Sequence, residues 1–336
     1  MMLRSALLIA LVVFAAVIIL VYEGLIAGTM ANRSSAHRPP LNTSTPSTTS
    51  NSTPSSSSTA ASCRAKLIFW LVPWGRVDVA ELPNCSIPGI VVVIPCTSGY
   101  GADFNQFEIS LSFIQQYRSR GVLFVNLFCA APDWRGNLNQ VDLSYASTFL
   151  NALKEYLGNG SGVYIGFSEM SACIANATCR SQLAAAYAEL KEIFPEARLF
   201  YYGTSSEKPT DILDLAKAAG LDLVGEDIYD YVYSNGEITV PSYFIDNLKA
   251  LRSSGLPVMV GEVGFRLCDA QGYVQPWNWT LPIRERNCSA TIQFYKEAIS
   301  QLAPRAEYVG IWAWNDPTYG VALSPQVLEF FQSYNP

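Results

Sequence analysis

The sequence predicts an α/β domain, a (β/α)8 TIM barrel, behind an apolar N-terminal segment and a Ser/Thr-rich linker. Two observations carry the barrel. Eight short apolar runs rich in Val, Ile, Phe and Tyr, each followed by a helical pattern or a connection, succeed one another from residue 66 onward, over about 270 residues. No Gly-x-Gly-x-x-Gly or Walker sequence follows the first run, as the rival open doubly wound sheet would usually show.

The chain begins with residues 5–22, uncharged and nearly all apolar, after a lone Arg4. This run is near the lower limit for a membrane-spanning helix and longer than the usual core of a secretory signal. Residues 1–30 are therefore read as a membrane anchor or a cleaved signal, and Arg4 favours an outward-facing remainder. Residues 31–62 follow as a stalk. The part from 39 to 62 is almost entirely Ser, Thr, Pro, Asn and Ala, with too little apolar surface to offset chain entropy. Asn-x-Ser/Thr sequons start at Asn32, Asn42, Asn51, Asn84, Asn159, Asn176, Asn278 and Asn287, which fits an exported, glycosylated protein. Eight cysteines without a Cys-x-x-Cys pair fit disulfides better than zinc.

Composition excludes several chemistries. The single histidine, His37, lies in the stalk, so the domain from 63 to 336 has no histidine for a Ser-His or Cys-His system or for a metal site. Acid–base work falls to carboxylates, Tyr or Lys. A net charge of −6 without basic clusters argues against nucleic acid. No metal and no cofactor is expected.

The expected strands are 66–73, 90–95, 122–128, 162–169, 198–204, 221–229, 257–265 and 308–315. The expected helices are 107–118, 144–157, 178–194, 209–219, 240–253, 290–302 and 324–334. Gly121, Gly158, Gly220 and Gly255 stand where helices should stop. The first unit is the weakest, because residues 76–88 show little helical pattern and contain Pro83 and Pro88.

Two runs end on a glutamate: Gly166-Phe167-Ser168-Glu169 on strand four and Gly261-Glu262-Val263-Gly264-Phe265 on strand seven. A carboxylate at the end of a buried strand is costly unless paired or used. Barrel active sites form at the C-terminal ends of the strands. By alternation, Glu169 shares a face with Val163, Ile165 and Phe167, and Glu262 with Val258 and Val260. If those faces point inward, both carboxylates overlook the barrel mouth. Taken singly, each glutamate would serve equally well as a structural carboxylate held by Arg or a helix N-terminus.

Glutamates ending strands four and seven of such a barrel resemble the 4/7 arrangement of clan A retaining glycoside hydrolases, most closely mannanase- and endoglucanase-type members. Leu223-Val224-Gly225-Glu226-Asp227-Ile228-Tyr229 is similar to the clan's strand-six segment, whose tyrosine contacts the nucleophile. Gly310-Ile311-Trp312-Ala313-Trp314-Asn315-Asp316 is similar to the segment with the tryptophan beneath the bound sugar. The resemblance implies Glu169 as general acid/base and Glu262 as nucleophile. Tyr229, Trp314, Trp312, Ser168, Trp74, Trp134 and Trp277 are the implied substrate contacts, with Trp314 favoured over Trp312 because both share one strand face. Trp70 is expected in the core, and Glu226 and Asp227 in supporting roles. The chain departs from the clan in having Ser168 where Asn usually precedes the acid/base. It also lacks the usual active-site histidines, and the clan's strand-two arginine has no clear counterpart near Cys96-Thr97-Ser98-Gly99-Tyr100.

On this frame the cysteines pair locally: Cys63 with Cys85, Cys96 with Cys129, Cys173 with Cys179, and Cys268 with Cys288. The implied function is an extracellular, surface-tethered retaining β-glycosidase acting on β-mannan- or β-glucan-type chains. The alternatives are an inactive carbohydrate-binding or structural barrel, and a transglycosylase that remodels surface glycan.

Overall fold

The computed structural model describes residues 66–84, 86–131, 135–234, 237–265 and 289–334. These lie in one unit, Ala61–Pro336. Eight parallel strands close into a barrel in the order β1-β10-β9-β6-β5-β4-β3-β2. In chain order they are β1 (Lys66–Leu71), β2 (Ser86–Ile94), β3 (Leu123–Cys129), β4 (Val163–Ser168), β5 (Arg198–Gly203), β6 (Leu223–Ile228), β9 (Val258–Val263) and β10 (Tyr308–Ile311). A short antiparallel hairpin, β7 (Val232–Ser234) and β8 (Glu237–Thr239), interrupts the repeat after β6. The helices are α1 (Phe104–Tyr117), α2 (Ser147–Leu157), α3 (Ser171–Ala175), α4 (Ala177–Ile193), α5 (Pro209–Ala219), α6 (Ser242–Arg252), α7 (Ser289–Leu302) and α8 (Pro325–Ser333).

The predicted repeat is present with shifted ends. Strand two starts at Ser86 rather than Ile90, so Pro88 lies inside it. Pro88 pairs with Phe69 of β1, while pairing to β3 begins only at Gly89, so its missing N–H faces no second strand. Two elements escaped the sequence reading, the β7–β8 hairpin and the five-residue helix α3, both too short to show a period. No described residue between β1 and β2 is helical, as the weak first unit implied.

Strand alternation sorts the core into two layers. Ile68, Trp70, Val91, Phe124, Tyr164, Phe200, Tyr202, Leu223, Met259 and Tyr308 fill the barrel interior. Val92, Val125, Ile165, Phe167, Val224, Val258, Val260 and their like face the helices. The interior is aromatic, and glycines make room for it. A Cβ on Gly261 would lie 2.2 Å from the Tyr202 ring. Trp70 is interior core as expected, and its indole N–H donates to Gly261 O at 2.8 Å.

This layering corrects one sequence inference. Val163, Ile165, Phe167, Val258 and Val260, the residues expected to share an inward face with the glutamates, all belong to the outer layer. Phe167 packs edge-on against Tyr187 of α4. Simple alternation would therefore turn both glutamates away from the mouth.

Two of the expected disulfides lie among the described residues. Cys96–Cys129 links the ends of β2 and β3, and Cys173–Cys179 links α3 to α4. Cys63, Cys85, Cys268 and Cys288 lie outside the described residues, as do the apolar segment and the stalk. No helix among the described residues is long and apolar enough to cross a membrane.

Candidate active site

Each glutamate reaches the mouth by a local break in strand regularity. Glu169 follows β4 with a left-handed backbone, φ 52°, among non-glycine residues the only such value in the described residues. That conformation costs roughly 1–2 kcal/mol for a residue with a Cβ. It is held from both sides: Glu169 N–H donates to Tyr202 O at 2.9 Å, and Met170 N–H donates to the Tyr201 hydroxyl at 3.0 Å. On the other side, β9 carries a register shift. Val260 and Val263 pair with Glu226 and Ile228 of β6, three steps against two. The extra residue at Gly261–Glu262 is a bulge, which re-aims a side chain. Both devices undo the alternation, and Glu169, Asp227 and Glu262 each bring one carboxyl oxygen within 4.8 Å of the other two.

The surroundings of the three acids differ. Glu262 is buried, with Tyr202 Oη donating to Oε1 at 2.8 Å and Tyr229 Oη donating to Oε2 at 2.6 Å. Burial and the Glu262 charge hold the Tyr229 phenol well above its usual range, so it remains a donor. Two hydroxyl donors on two oxygens is the arrangement an ionised, acceptor-only carboxylate takes. Asp227 points inward from β6 and accepts the Ser205 N–H at 3.2 Å. Its carboxyl is pushed well above the usual carboxylate range, first by burial, then by the neighbouring charge of Glu169 and a hydrogen bond with it, then by Glu262 and Glu207.

A buried polar chain supports this set. Asn126, inward on β3, donates to Ser168 Oγ at 3.0 Å and to Tyr202 Oη at 2.9 Å. It thereby ties the residue before Glu169 to a phenol on Glu262. Behind Glu169, Glu207 accepts from Tyr201 Oη at 2.9 Å and Ser171 Oγ at 2.8 Å, and burial pushes its carboxyl up to about 7.

Tyr229 lies against Glu262 through its hydroxyl, and Ser168 ends β4. Ser168 is buried against Asn126, its hydroxyl engaged with protein. The expected order of the two tryptophans is reversed. Trp314 is wholly buried in the outer layer, edge-on to Phe69 and with its N–H on Ala80 O at 2.8 Å, so neither of its faces is open. Trp312 packs against the inner cluster and is partly exposed. The two do not share a face because the regular strand ends at Ile311 and alternation lapses beyond it. The Trp312–Ala313 peptide is cis. Trp74 is 36% exposed, its N–H held by Asp316 Oδ2 at 3.0 Å. With Phe128 at 5.5 Å and Trp312 at 6.2 Å between ring centroids, it forms an aromatic wall at the mouth. Trp134 and Trp277 lie outside the described residues.

Sequence reasoning missed Asn126, Tyr202 and Glu207, and gave Asp227 only a supporting part. Asn126 carried a signal: it is the one polar residue in Leu123–Cys129, and a buried amide needs partners. The three acids are also a grouping with donors for a cation. A cluster of carboxyls alone makes no metal site.

No protein-family model and no curated relative matches the chain. Solved structures of similar fold include a GH113 β-1,4-mannanase, 13% identical with a TM-score of 0.49, over 81% of this chain and 99% of that one. A GH53 catalytic domain from Ignisphaera aggregans is 11% identical with a TM-score of 0.47, over 74% and 85%. A GH10 xylanase from Thermobacillus composti is 16% identical with a TM-score of 0.47, over 74% and 84%. Likeness at this level carries nothing about chemistry, which rests on the geometry above.

Proposed function

We propose that the domain is a retaining β-glycosidase. The observation that carries this reading is the approach of the Glu169 and Glu262 carboxyl oxygens to within 4.8 Å. Retaining enzymes place two carboxyls about 5–5.5 Å apart, whereas inverting enzymes leave about 6.5–9.5 Å for a water. Glu262, held by two phenols, attacks the anomeric carbon as Glu169 protonates the departing oxygen. A glycosyl ester forms on Glu262. Glu169 then takes a proton from water, the water oxygen attacks the same carbon, and the ester bond breaks with net retention.

Trp312, with Trp74 and Phe128 beside it, supplies apolar faces of the kind that stack on sugar C–H surfaces. The substrate class favoured by the motif resemblance is a β-mannan or β-glucan type chain. The apolar segment 5–22 and the Ser/Thr-rich stalk, read with the sequons, favour a surface-tethered enzyme with this domain outside the cell. Asn84, Asn159 and Asn176 are exposed, as glycan acceptors must be.

The test is a panel of β-linked oligosaccharides and polysaccharides, with product anomers followed by NMR. Retained configuration is the expected result. Inversion rules out the two-glutamate double displacement. Binding without product over a wide pH range points instead to a carbohydrate-binding barrel, and longer products at high substrate concentration point to a transglycosylase.

A further inference from the structure

A retaining site requires two carboxyls, and this one holds three. Asp227 has no part in the double displacement as written, yet it is 4% exposed and its oxygen lies within 4.8 Å of both working carboxyls. Its position is fixed by the fold. It is the inward residue of β6 after Gly225, and its Oδ1 is pinned by the Ser205 N–H.

We propose that Asp227 is a positioning residue whose carboxyl shares one proton with Glu169, keeping that proton available to the acid step and recovering it in the base step. This inference rests on the glycosidase reading for its role in turnover, and on the approach of the carboxyls and the burial of Asp227 for the shared proton.

The geometry divides the acids unequally. Glu262 has both oxygens occupied by phenolic donors. Asp227 instead faces acids on every side that carries a charge: Glu169 at the end of β4, Glu207 after β5 and Glu262 on β9. The other titratable groups beside it are the phenols of Tyr229 and Tyr231, both kept neutral by burial. Two carboxyls this close, one of them buried, cannot both ionise cheaply, so Asp227 and Glu169 hold one proton between them.

The charge count through the reaction then stays level. At rest the Asp227–Glu169 pair carries one proton and one negative charge, and Glu262 carries the second negative charge. On attack, Glu262 becomes a neutral ester, and the pair's proton passes from Glu169 to the departing oxygen. The pair is left with two negative charges, so the three carboxyls still total two. Two adjacent carboxylates have a high affinity for a proton, which is what Glu169 needs as base. Water supplies that proton as its oxygen bonds to the anomeric carbon, and Glu262 leaves as carboxylate.

The experiment compares the whole chain as wild type, Asp227→Asn and Glu169→Gln by carbon-13 NMR of labelled Asp and Glu carboxyls across pH, with activity on the β-glycan panel read in parallel. In wild type, the Asp227 and Glu169 resonances should titrate together, and each variant should leave the remaining acid to titrate alone. In D227N, losing the proton leaves two neighbouring charges, on Glu169 and Glu262, where wild type would hold three. The basic limb of its kcat/KM profile should therefore move to lower pH by about one unit, with kcat reduced roughly tenfold or more and KM little changed. Independent titration in wild type overturns the proposal, whether or not the protein hydrolyses anything. A D227N loss of activity with an unmoved basic limb also overturns it, since a merely structural role predicts that. Joint titration without hydrolysis by wild type upholds the shared proton and removes the glycosidase reading. Hydrolysis with independent titration does the reverse.

Discussion

The end of β4 and the end of β9 bring a glutamate to the same small volume by different means. At β4 the backbone itself turns, through the left-handed Glu169. At β9 the strand gains a residue and Glu262 rides on the bulge. The electrostatic settings differ in parallel. Glu262 is gripped by two phenols, while Glu169 lies against Asp227 with Glu207 behind. On the proposed reading, one end keeps a negative charge in place and the other keeps a proton within reach. That asymmetry supports Glu262 as nucleophile and Glu169 as acid/base without appeal to the order of the strands.

The sharpest way to break this comparison is to neutralise each end separately. Glu262→Gln should lower turnover on every substrate by roughly 10⁵-fold, because the nucleophile is lost. Glu169→Gln should cost about 10²–10⁴-fold on natural glycosides but far less on an aryl glycoside whose leaving group needs no proton. Steady-state rates on both substrate types check this. Equal losses on the aryl glycoside would erase the distinction between the ends.

Next comes the bulge. Gly261→Ala places a Cβ 2.2 Å from the Tyr202 ring, with Trp70 Nε1 bonded to the carbonyl of the same residue. The ring must move, and with it a donor to Glu262. Overpacking of this kind costs about 1–3 kcal/mol of stability. Activity should fall roughly a hundredfold, about 2.7 kcal/mol in the barrier. Thermal melts and kcat together check it. Tyr229→Phe removes one donor without the clash and should cost roughly tenfold in kcat and about 1 kcal/mol of stability, because it deletes a single hydrogen bond to a buried charge.

The comparison also explains what was legible beforehand. The barrel was readable because eight buried strands must be apolar, and the glutamates because a carboxylate in such a run is out of place. Their orientation was not readable. Alternation is a property of regular strands, and the site is where two strands stop being regular. The same limit misplaced Trp314, three residues past the end of β10, and hid Trp312 as the open ring. Asp227 sat in a motif already noticed, but nothing in Glu226-Asp227 says which acid faces inward; in the structure Glu226 faces out, accepting from Asn247 of α6 at 3.0 Å. Asn126, Tyr202 and Glu207 become a set only when β3, β5 and the loop after β5 are brought together.

The last expected effect, on stability rather than on turnover, concerns the acid-rich end. Glu207, 6% exposed, titrates at about 7 in the folded chain because burial disfavours its charge. An exposed glutamate in the unfolded chain titrates near 4.3. The folded state therefore binds the extra proton between those values. Its stabilising contribution is complete below the unfolded value and is lost as pH rises through about 7. Over that window wild type should lose stability relative to Glu207→Gln by about 1 kcal/mol per pH unit. Chemical denaturation at closely spaced pH values checks the slope. A slope unchanged by the substitution would mean that Glu207 is ionised throughout, and would leave the Glu169 end without the acid-rich setting that distinguishes it from the phenol-lined end at Glu262.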